Sequence, residues 1–499
     1  MELKFRKQRC AYLDTPVQEV QNLEQSQEIR LPEGMPDIGR VLSAWGQPLL
    51  RGKEWREEGI SASGGMTVWI LYAPEDGTEP RCMESWMPFQ LNWNLPDHTP
   101  EGKIRVSVQP RFVDARSVSA RKVMVRAGAA AMAEAFSPRE AEVYMPEDVP
   151  QAVQILRSSY PMHLPVEAGE RSFFLDEELT VPGSLAQPQK LMYYTLRPEI
   201  TDRKVLGDKV VFRGNGNLHI LYRTEDGKLQ SWDFALPFSQ FGELETGHSS
   251  DAQADVILCP TSLELELDEG GHLRLKCGIV GQYLVTDRQL IELVEDAYSP
   301  DREVTIRQET LQLPAVLETR RENLFGEQKI PTEGREPVDV QYMPAFPRVV
   351  RDAQGVWLEA PGLMQVLYYG EDGALRSATG RWEGRQHLPA DENDRIGATS
   401  LAAQEPQLIP GSDGITAKLD LPLQVTTTAG KGISMVTGLE LGDEKEPDPT
   451  RPSLILRRAG NLCLWELAKT CGSTVDAIRG ANCLEDVPKP EQMLLIPIN

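Results

Sequence analysis

The fold is decided by the stretch Trp69-Ile70-Leu71-Tyr72-Ala73-Pro74-Glu75-Asp76-Gly77, which returns twice further along the chain. The second copy is His219–Gly227 (HILYRTEDG) and the third is Gln365–Gly373 (QVLYYGEDG), so the closing glycines are almost evenly spaced. Each copy carries a Leu-Tyr run and ends in Asp-Gly, whose glycine supplies the positive φ that a hairpin turn needs. This internal similarity predicts a chain built from structural repeats.

Two further markers keep nearly the same spacing. A short, partly alternating run ends in an aliphatic residue and a proline in each copy, at Leu31-Pro32, Val181-Pro182 and Ile330-Pro331. A Pro-Phe pair follows the motif in the first two copies, at Pro88-Phe89 and Pro237-Phe238, and is missing from the third. The shared spacing predicts three repeats, which we place at residues 14–137, 165–298 and 312–441.

Alternation of apolar and polar residues indicates antiparallel strands within the repeats. In the second copy, residues 263–267 (LELEL) and 273–277 (LRLKC) flank a turn, which predicts a hairpin with one solvated face. Short alternating strands separated by turns are typical of a β-sandwich or barrel. The Ala-rich stretch Gly128–Phe136 differs, and we predict a short helix there. The predicted fold is mainly β, with three antiparallel sandwich-like or barrel-like repeats.

The composition favours a globular protein and disfavours nucleic-acid binding. The chain has 499 residues, of which 40% are hydrophobic and 25% charged, as in ordinary globular domains. Its 75 acidic residues outnumber the 52 Lys and Arg residues, and the resulting net charge of −23 repels phosphate backbones and anionic lipids. No apolar run is long enough to span a membrane, and no apolar core follows the basic N-terminus, so we expect a cytosolic protein.

No sequence motif points to catalysis or to a metal site. The chain has no GxxxxGK[ST], HExxH, GxSxG or CxxC pattern, and its six histidines are scattered. The Glu-Asp pairs of the repeated motif recur at a turn, which favours turn structure over acid–base chemistry. His219 stands where the other copies have Trp69 and Gln365, which disfavours a catalytic role. We predict no enzyme, no cofactor and no metal; a hydrolase with dispersed catalytic residues is the least favoured alternative.

The pattern changes in the last part of the chain. Residues 442–453 are charged and rich in proline, which predicts a semi-rigid linker. Residues 454–499 change to a helical period, and we predict a small α+β unit with the order strand, helix, helix, strand. This unit has equal numbers of acidic and basic side chains, so the excess negative charge lies in the repeats.

The ends of the two predicted helices can be placed. Gly472 ends the first helix, and Ser473 or Thr474 caps the second. Val475, Ile478 and Ala481 are predicted to face inwards from the second helix.

The C-terminal unit resembles a LysM domain. The matching stretches are Leu464–Lys469 (LWELAK), Gly472–Arg479 (GSTVDAIR), Ala481-Asn482 and Met493–Pro497 (MLLIP). LysM domains bind N-acetylglucosamine polymers in a groove between the loop after the first strand and the loop before the last. The resemblance implies a groove for a protein or glycan ligand, formed by Gly460, Asn461, Leu462, Cys463, Ile478, Glu491 and Gln492.

Both loops of this groove depart from the LysM pattern. The usual Gly-Asp-Thr/Ser is replaced by Gly460-Asn461-Leu462-Cys463, and the usual Pro-Gly-Gln by Pro490-Glu491-Gln492. A sugar groove needs small residues and polar groups that match amide and hydroxyl edges. Leu462, Cys463 and Glu491 make one lip more apolar and the other more acidic. These departures disfavour a glycan and favour a protein ligand.

Two further alternatives concern side chains of the C-terminal unit. Trp465 contacts a ligand or belongs to the small core, and its helical spacing favours the core. Cys463, Cys471 and Cys483 either form cross-links in an assembled structure or are small buried hydrophobic residues, and a reducing cytosol favours the second alternative.

The repeats resemble the SPOCS domain of endospore-forming bacteria. The best matches lie in the second copy, at Phe173–Pro182 and Leu229–Phe238. SPOCS repeats followed by one LysM domain resemble the SipL family of spore coat morphogenetic proteins. The resemblance implies a non-enzymatic adaptor in the mother cell, at the forespore surface. Its LysM-like domain would dock to the ATPase of the coat basement layer, with other coat proteins as further partners; the alternative is a peptidoglycan-binding protein.

Overall fold

The structure is a computed structural model that describes residues 1–332, 337–391, 393–400, 406–446, 452–484 and 488–498. Strands account for 73% of the chain and helices for 3%, which confirms the prediction of a mainly-β protein. Every strand pair in the described residues is antiparallel.

The strands follow one another with few interruptions. The first part of the chain forms β1 (Phe5–Arg30), β2 (Ile38–Arg56), β3 (Gly59–Pro74), β4 (Arg81–Asn94), β5 (Lys103–Ser119) and β6 (Lys122–Pro146). The middle part forms β7 (Gln154–Thr180), β8 (Lys190–Leu206), β9 (Lys209–Arg223), β10 (Leu229–Glu243), β11 (Gln253–Leu267) and β12 (His272–Tyr298).

The last part has shorter strands. It forms β13 (Arg302–Leu311), β14 (Val316–Ile330), β15 (Pro337–Pro344), β16 (Arg348–Asp352), β17 (Gly355–Tyr369), β18 (Leu375–Leu388), β19 (Arg395–Ser400), β20 (Gln407–Gly411), β21 (Gly414–Thr428) and β22 (Ile433–Glu444). The C-terminal segment forms β23 (Leu454–Arg458), α1 (Leu464–Cys471), α2 (Val475–Asn482) and β24 (Met493–Pro497).

Each of the three parts contains a core between two sheets. The sheets are β1-β6-β5 and β2-β3-β4 in the first part, and β11-β12-β7 and β10-β9-β8 in the middle part. In the last part β14, β19 and β20 pair with β21, while β15, β16 and β18 pair with β17. Buried side chains from both sheets fill the space between them, as in a β-sandwich.

The strands cross the predicted repeat limits. Strand β6 extends to Pro146, beyond residue 137, and β7 begins at Gln154, before residue 165. The division into repeats at 14–137, 165–298 and 312–441 stays a prediction.

The hairpin predicted in the middle part is present. Leu265 lies opposite Leu275, and both point into the core. Glu264 lies opposite Lys276 and Glu266 opposite Arg274 on the solvated face. An acid facing a base across two strands stabilises the pair by about 0.2–1 kcal/mol.

The helix predicted for Gly128–Phe136 is wrong, because the stretch lies in the middle of β6. Strand β6 pairs with β1 on one side and β5 on the other. Ala130 and Ala131 are 2% and 0% exposed although they point to opposite faces, so β6 is covered on both. Small side chains allow this close packing, and the tertiary contacts override the helical preference of alanine.

The predicted linker is partly strand. Residues 442–444 belong to β22, which pairs with β13. Residues 447–451 lie outside the described residues, so the rest of the linker prediction stays untested.

The repeated motif lies on β3, β9 and β17, and its two faces have different surroundings. Ile70 and Tyr72 point into the core between the two sheets of their part. The leucine between them points the other way. Leu71, Leu221 and Leu367 meet in one cluster, where they are 0%, 0% and 1% exposed. The motif therefore contributes to two cores at once, which explains why both alternating positions are apolar.

A closed set of contacts surrounds these three leucines. The residue two positions before each leucine contacts a residue in a different part of the chain. In that other part, the contacted residue is the cross-strand partner of the leucine. The contacts are Trp69–Tyr193 (ring centroids 6.3 Å apart), His219–Asp339 (Nε2 to Oδ1, 2.8 Å) and Gln365–Ser43 (Nε2 to Oγ, 2.6 Å). The first part thus contacts the middle, the middle the last and the last the first. We call the three leucines and these six residues the central junction.

Candidate functional site

The two helices of the C-terminal unit are fixed by their ends. The Cys463 Sγ accepts a hydrogen bond from the Glu466 amide, and the Glu466 carboxylate accepts one from the Cys463 amide, which forms a capping box. Gly472 ends α1 with a left-handed φ of 66°. The Thr474 hydroxyl caps α2 by accepting from the Ala477 amide at 3.1 Å. The predicted helix stop is confirmed, and Thr474 is the cap of the second helix.

The prediction that Ile478 lines the groove is wrong. Its side chain is 0% exposed and packs in the core of the C-terminal unit, so it offers no surface to a ligand. The inward position predicted for Ala481 is also wrong, because this residue is exposed. The last turn of α2 is tied down by Asn482 instead, whose side-chain amide donates to the Leu495 carbonyl at 2.6 Å and accepts from the Leu495 amide at 2.7 Å.

The remaining groove residues lie in two loops that are held together by backbone hydrogen bonds. The Gly460 amide donates to the Pro490 carbonyl at 2.8 Å, and the Ala459 amide donates to the Gln492 carbonyl at 2.8 Å. Asn461, Leu462, Cys463 and Glu491 are exposed in these loops. The loops are therefore adjacent and accessible, while their use as a ligand groove stays a prediction.

The helical side of the unit rests on the end of β12. Trp465 Nε1 donates to Asp296 Oδ2 at 2.8 Å, and Lys469 Nζ lies 2.8 Å from the same carboxylate. Tyr298 packs edge-on against Trp465, and its hydroxyl donates to the Ser473 carbonyl at 2.9 Å. Burial, with the Asp296 charge beside it, raises the pKa of Tyr298 to about 12, so the phenol stays protonated as a donor. Trp465 thus belongs to a contact within the chain.

Sequence reasoning missed Asp296 and Tyr298. Both stand near the end of a long strand, in a stretch with no distinguishing motif. Only the fold brings them to α1, because the two segments are far apart in the chain. No local signal in the sequence points to this contact.

The three C-terminal cysteines divide into two groups. All seven cysteines of the chain are free. Cys471 is buried, in agreement with the prediction that these cysteines are small buried hydrophobic residues. Cys463 and Cys483 are exposed, so the prediction of buried side chains is wrong for these two.

His219 connects two parts of the chain. Its side chain is 7% exposed, with Nδ1 at 2.6 Å from Asp233 Oδ1 and Nε2 at 2.8 Å from Asp339 Oδ1. The Tyr193 hydroxyl donates to the other oxygen of Asp339 at 2.5 Å. The imidazole therefore lies between two carboxylates, one on β10 and one on β15. The arrangement links β9 to β15 across the central junction.

A polar network joins the three parts at a cavity of about 480 Å³. Arg105 donates to Asp255 at 2.7 Å, and Gln424 donates to the other oxygen of that carboxylate at 2.9 Å. Burial alone would raise the pKa of Asp255, but the Arg105 charge and its hydrogen bonds lower it. Arg105 and Asp255 are thus engaged in connecting strands. In the described part of the chain, no group of three or more His, Cys, Asp or Glu side chains is arranged to hold a metal ion.

Comparison with known families gives one match. Residues 187–265 match the model described as SipL, SPOCS domain. This segment includes β8, β9 and β10, and therefore the second copy of the repeated motif. Neither the curated proteins nor the solved structures give a match. Among the described residues, no helix is both long and apolar enough to cross a membrane. The match over residues 187–265 supports a SipL-like protein.

Proposed function

We propose that this chain is a non-enzymatic adaptor of endospore coat assembly. It consists of three SPOCS-like β units, at residues 14–137, 165–298 and 312–441, and a LysM-like docking domain at residues 454–499 that follows a linker. The observation that carries the proposal is the match of residues 187–265 to the SPOCS domain of SipL. It covers the copy of the motif at His219–Gly227, and the same motif recurs in the other two parts.

The common role of the motif supports three equivalent units. The motif lies on β3, β9 and β17, each of which pairs with strands on both sides, and its leucine reaches the central junction in each case. Three units joined by a closed set of contacts form one body with a large surface. Such a body suits a scaffold, which needs extended surface rather than one reactive cleft.

The C-terminal unit supports docking to another protein. It carries balanced charge on a chain whose net charge is −23, so it approaches an acidic partner with less repulsion than the repeats do. The proposed partner is the ATPase of the coat basement layer, on the mother-cell side of the forespore. Several weak contacts from one chain at a surface raise the effective concentration, and this avidity favours assembly there.

The proposal is tested with the full chain and a chain that ends at Glu446. Both are tagged and used to capture the basement-layer ATPase from extracts of sporulating cells. We expect capture by the full chain and loss of capture by the shorter one. Equal capture by both chains would show that the C-terminal unit is not the docking element.

Binding of peptidoglycan is the second candidate function. The adjacent loops around Gly460 and Gln492 favour it, because LysM domains hold N-acetylglucosamine polymers between such loops. Leu462 is 40% exposed in this region and presents no hydrogen-bonding group to a sugar. Binding of the full chain to chitin oligomers, without binding to the ATPase, would favour this second function.

A further inference from the structure

The outer face of the β23–β24 sheet is apolar. Leu456 lies opposite Leu495, and Arg458 opposite Met493, so these residues share one face of the sheet. Leu454 lies two positions before Leu456 and points to the same side. Leu454, Leu456, Met493 and Leu495 are 50%, 61%, 48% and 39% exposed. We call these four residues the outer apolar face.

Another hairpin of the same chain shows the usual composition of a solvated face. The outward positions of the β11–β12 hairpin are occupied by charged side chains in cross-strand pairs: Glu264 with Lys276 and Glu266 with Arg274. The C-terminal sheet has large aliphatic side chains at the corresponding outward positions. On a soluble protein, a contiguous patch of exposed apolar side chains marks an interaction site.

The opposite side of the C-terminal unit is already in use. The inner face of the sheet contributes Leu494 and Ile496, both 0% exposed, to the core. The helical side rests on β12 through Trp465 and Asp296. These contacts hold the unit against the repeats with the outer apolar face uncovered.

We propose that the outer apolar face, rather than the loop groove, is the surface through which this unit docks. The inference rests on the proposed function and specifies the surface for it. Its occupant is a folded partner protein with an apolar surface bordered by carboxylates. Arg458 supports this chemistry, because it is the cation on the same face and pairs best with a carboxylate at the edge of the contact.

A second copy of the chain fits this face less well. Two copies with a net charge of −23 each repel one another. The occupant that we infer is therefore a different protein.

The test measures the affinity of the full-length chain for the purified basement-layer ATPase. In Leu456→Glu, a carboxylate replaces the most exposed leucine of the face and must be desolvated on docking, so we expect affinity to fall about tenfold or more. Leu317→Glu is the matched control, because Leu317 is 59% exposed on β14, against 61% for Leu456. Leu462→Glu places the same charge in the loop groove. Both controls should bind within about twofold of the wild type.

The outcomes separate the surface from the function. Leu456→Glu could bind like the wild type while a chain ending at Glu446 does not bind. In that case the outer apolar face is the wrong surface, but the C-terminal unit is still the docking element. Loss of binding in Leu462→Glu alone would assign docking to the loop groove. If the wild-type chain does not bind the ATPase, the proposed function fails and this inference fails with it. Circular dichroism checks that Leu456→Glu is folded, and Leu456→Ser, expected to weaken binding by a smaller factor, replaces it if it is not.

Discussion

Replacing Leu221 by alanine tests whether the repeated motif joins the three parts of the chain. Leu221 is 0% exposed and lies in the cluster with Leu71 and Leu367. Removing a fully buried leucine side chain costs about 3–5 kcal/mol where the surroundings cannot collapse, and about 2 kcal/mol where they can. We expect the free energy of unfolding in urea, followed by circular dichroism, to fall by about 3 kcal/mol.

Two comparisons make this measurement decisive. Leu206→Ala is the control, because Leu206 is 51% exposed and its loss should cost less than about 0.5 kcal/mol. The double variant Leu71→Ala/Leu221→Ala should depart from additivity by about 0.5 kcal/mol or more, since both side chains line one cluster. If Leu221→Ala costs no more than Leu206→Ala, or if the double variant is additive, the central junction does not exist in solution.

Three further predictions concern other contacts. Asp296→Ala should release the C-terminal unit from β12 and increase hydrogen exchange at the Trp465 indole, while the unit itself stays helical. The pKa of Asp255 is lowered in the folded chain. Its pairing with Arg105 therefore stabilises the fold fully at pH values above the unfolded pKa of about 3.9. This stabilisation is lost as the pH falls through the lower pKa of the folded chain. Asp255→Asn should therefore flatten the acid limb of stability plotted against pH, and an unchanged acid limb would contradict the pairing. A thiol reagent should modify the exposed Cys463 and Cys483 of the native chain before the other cysteines. Rapid modification of Cys277, which is 0% exposed, would contradict the structure.

The strands of the repeats were predictable because their signals are local. The Asp-Gly turns and the alternation at residues 263–277 depend only on neighbours in the chain, and the hairpin forms with the expected register. The same holds for the helix ends at Gly472 and Thr474, where capping chemistry is set within a few residues.

The Ala-rich segment at Gly128–Phe136 was not predictable on the same grounds. Its residues favour a helix in isolation, and its place in a central strand depends on partners far away in the chain. Ile478 shows a similar limit. Its position in α2 suits either a core or a groove lip, and the packing of two short helices under a two-stranded sheet decides for the core.

The central junction shows what the repeat alone could not reveal. The spacing of the motif predicts similar units, but it does not show that the outward leucines of three units meet. The surrounding contacts use different chemistry in each pair: two aromatic rings, a histidine with a carboxylate, and an amide with a hydroxyl. Because the partners differ from copy to copy, the sequence carries no common pattern for them.

Calorimetric titration of the full-length chain shows whether it binds a protein or a glycan. In parallel runs, the chain is titrated with the purified ATPase of the coat basement layer and with chitin oligomers. We expect saturable heat with the ATPase and none with the oligomers. Saturable heat with the oligomers and none with the ATPase would contradict the proposed adaptor function.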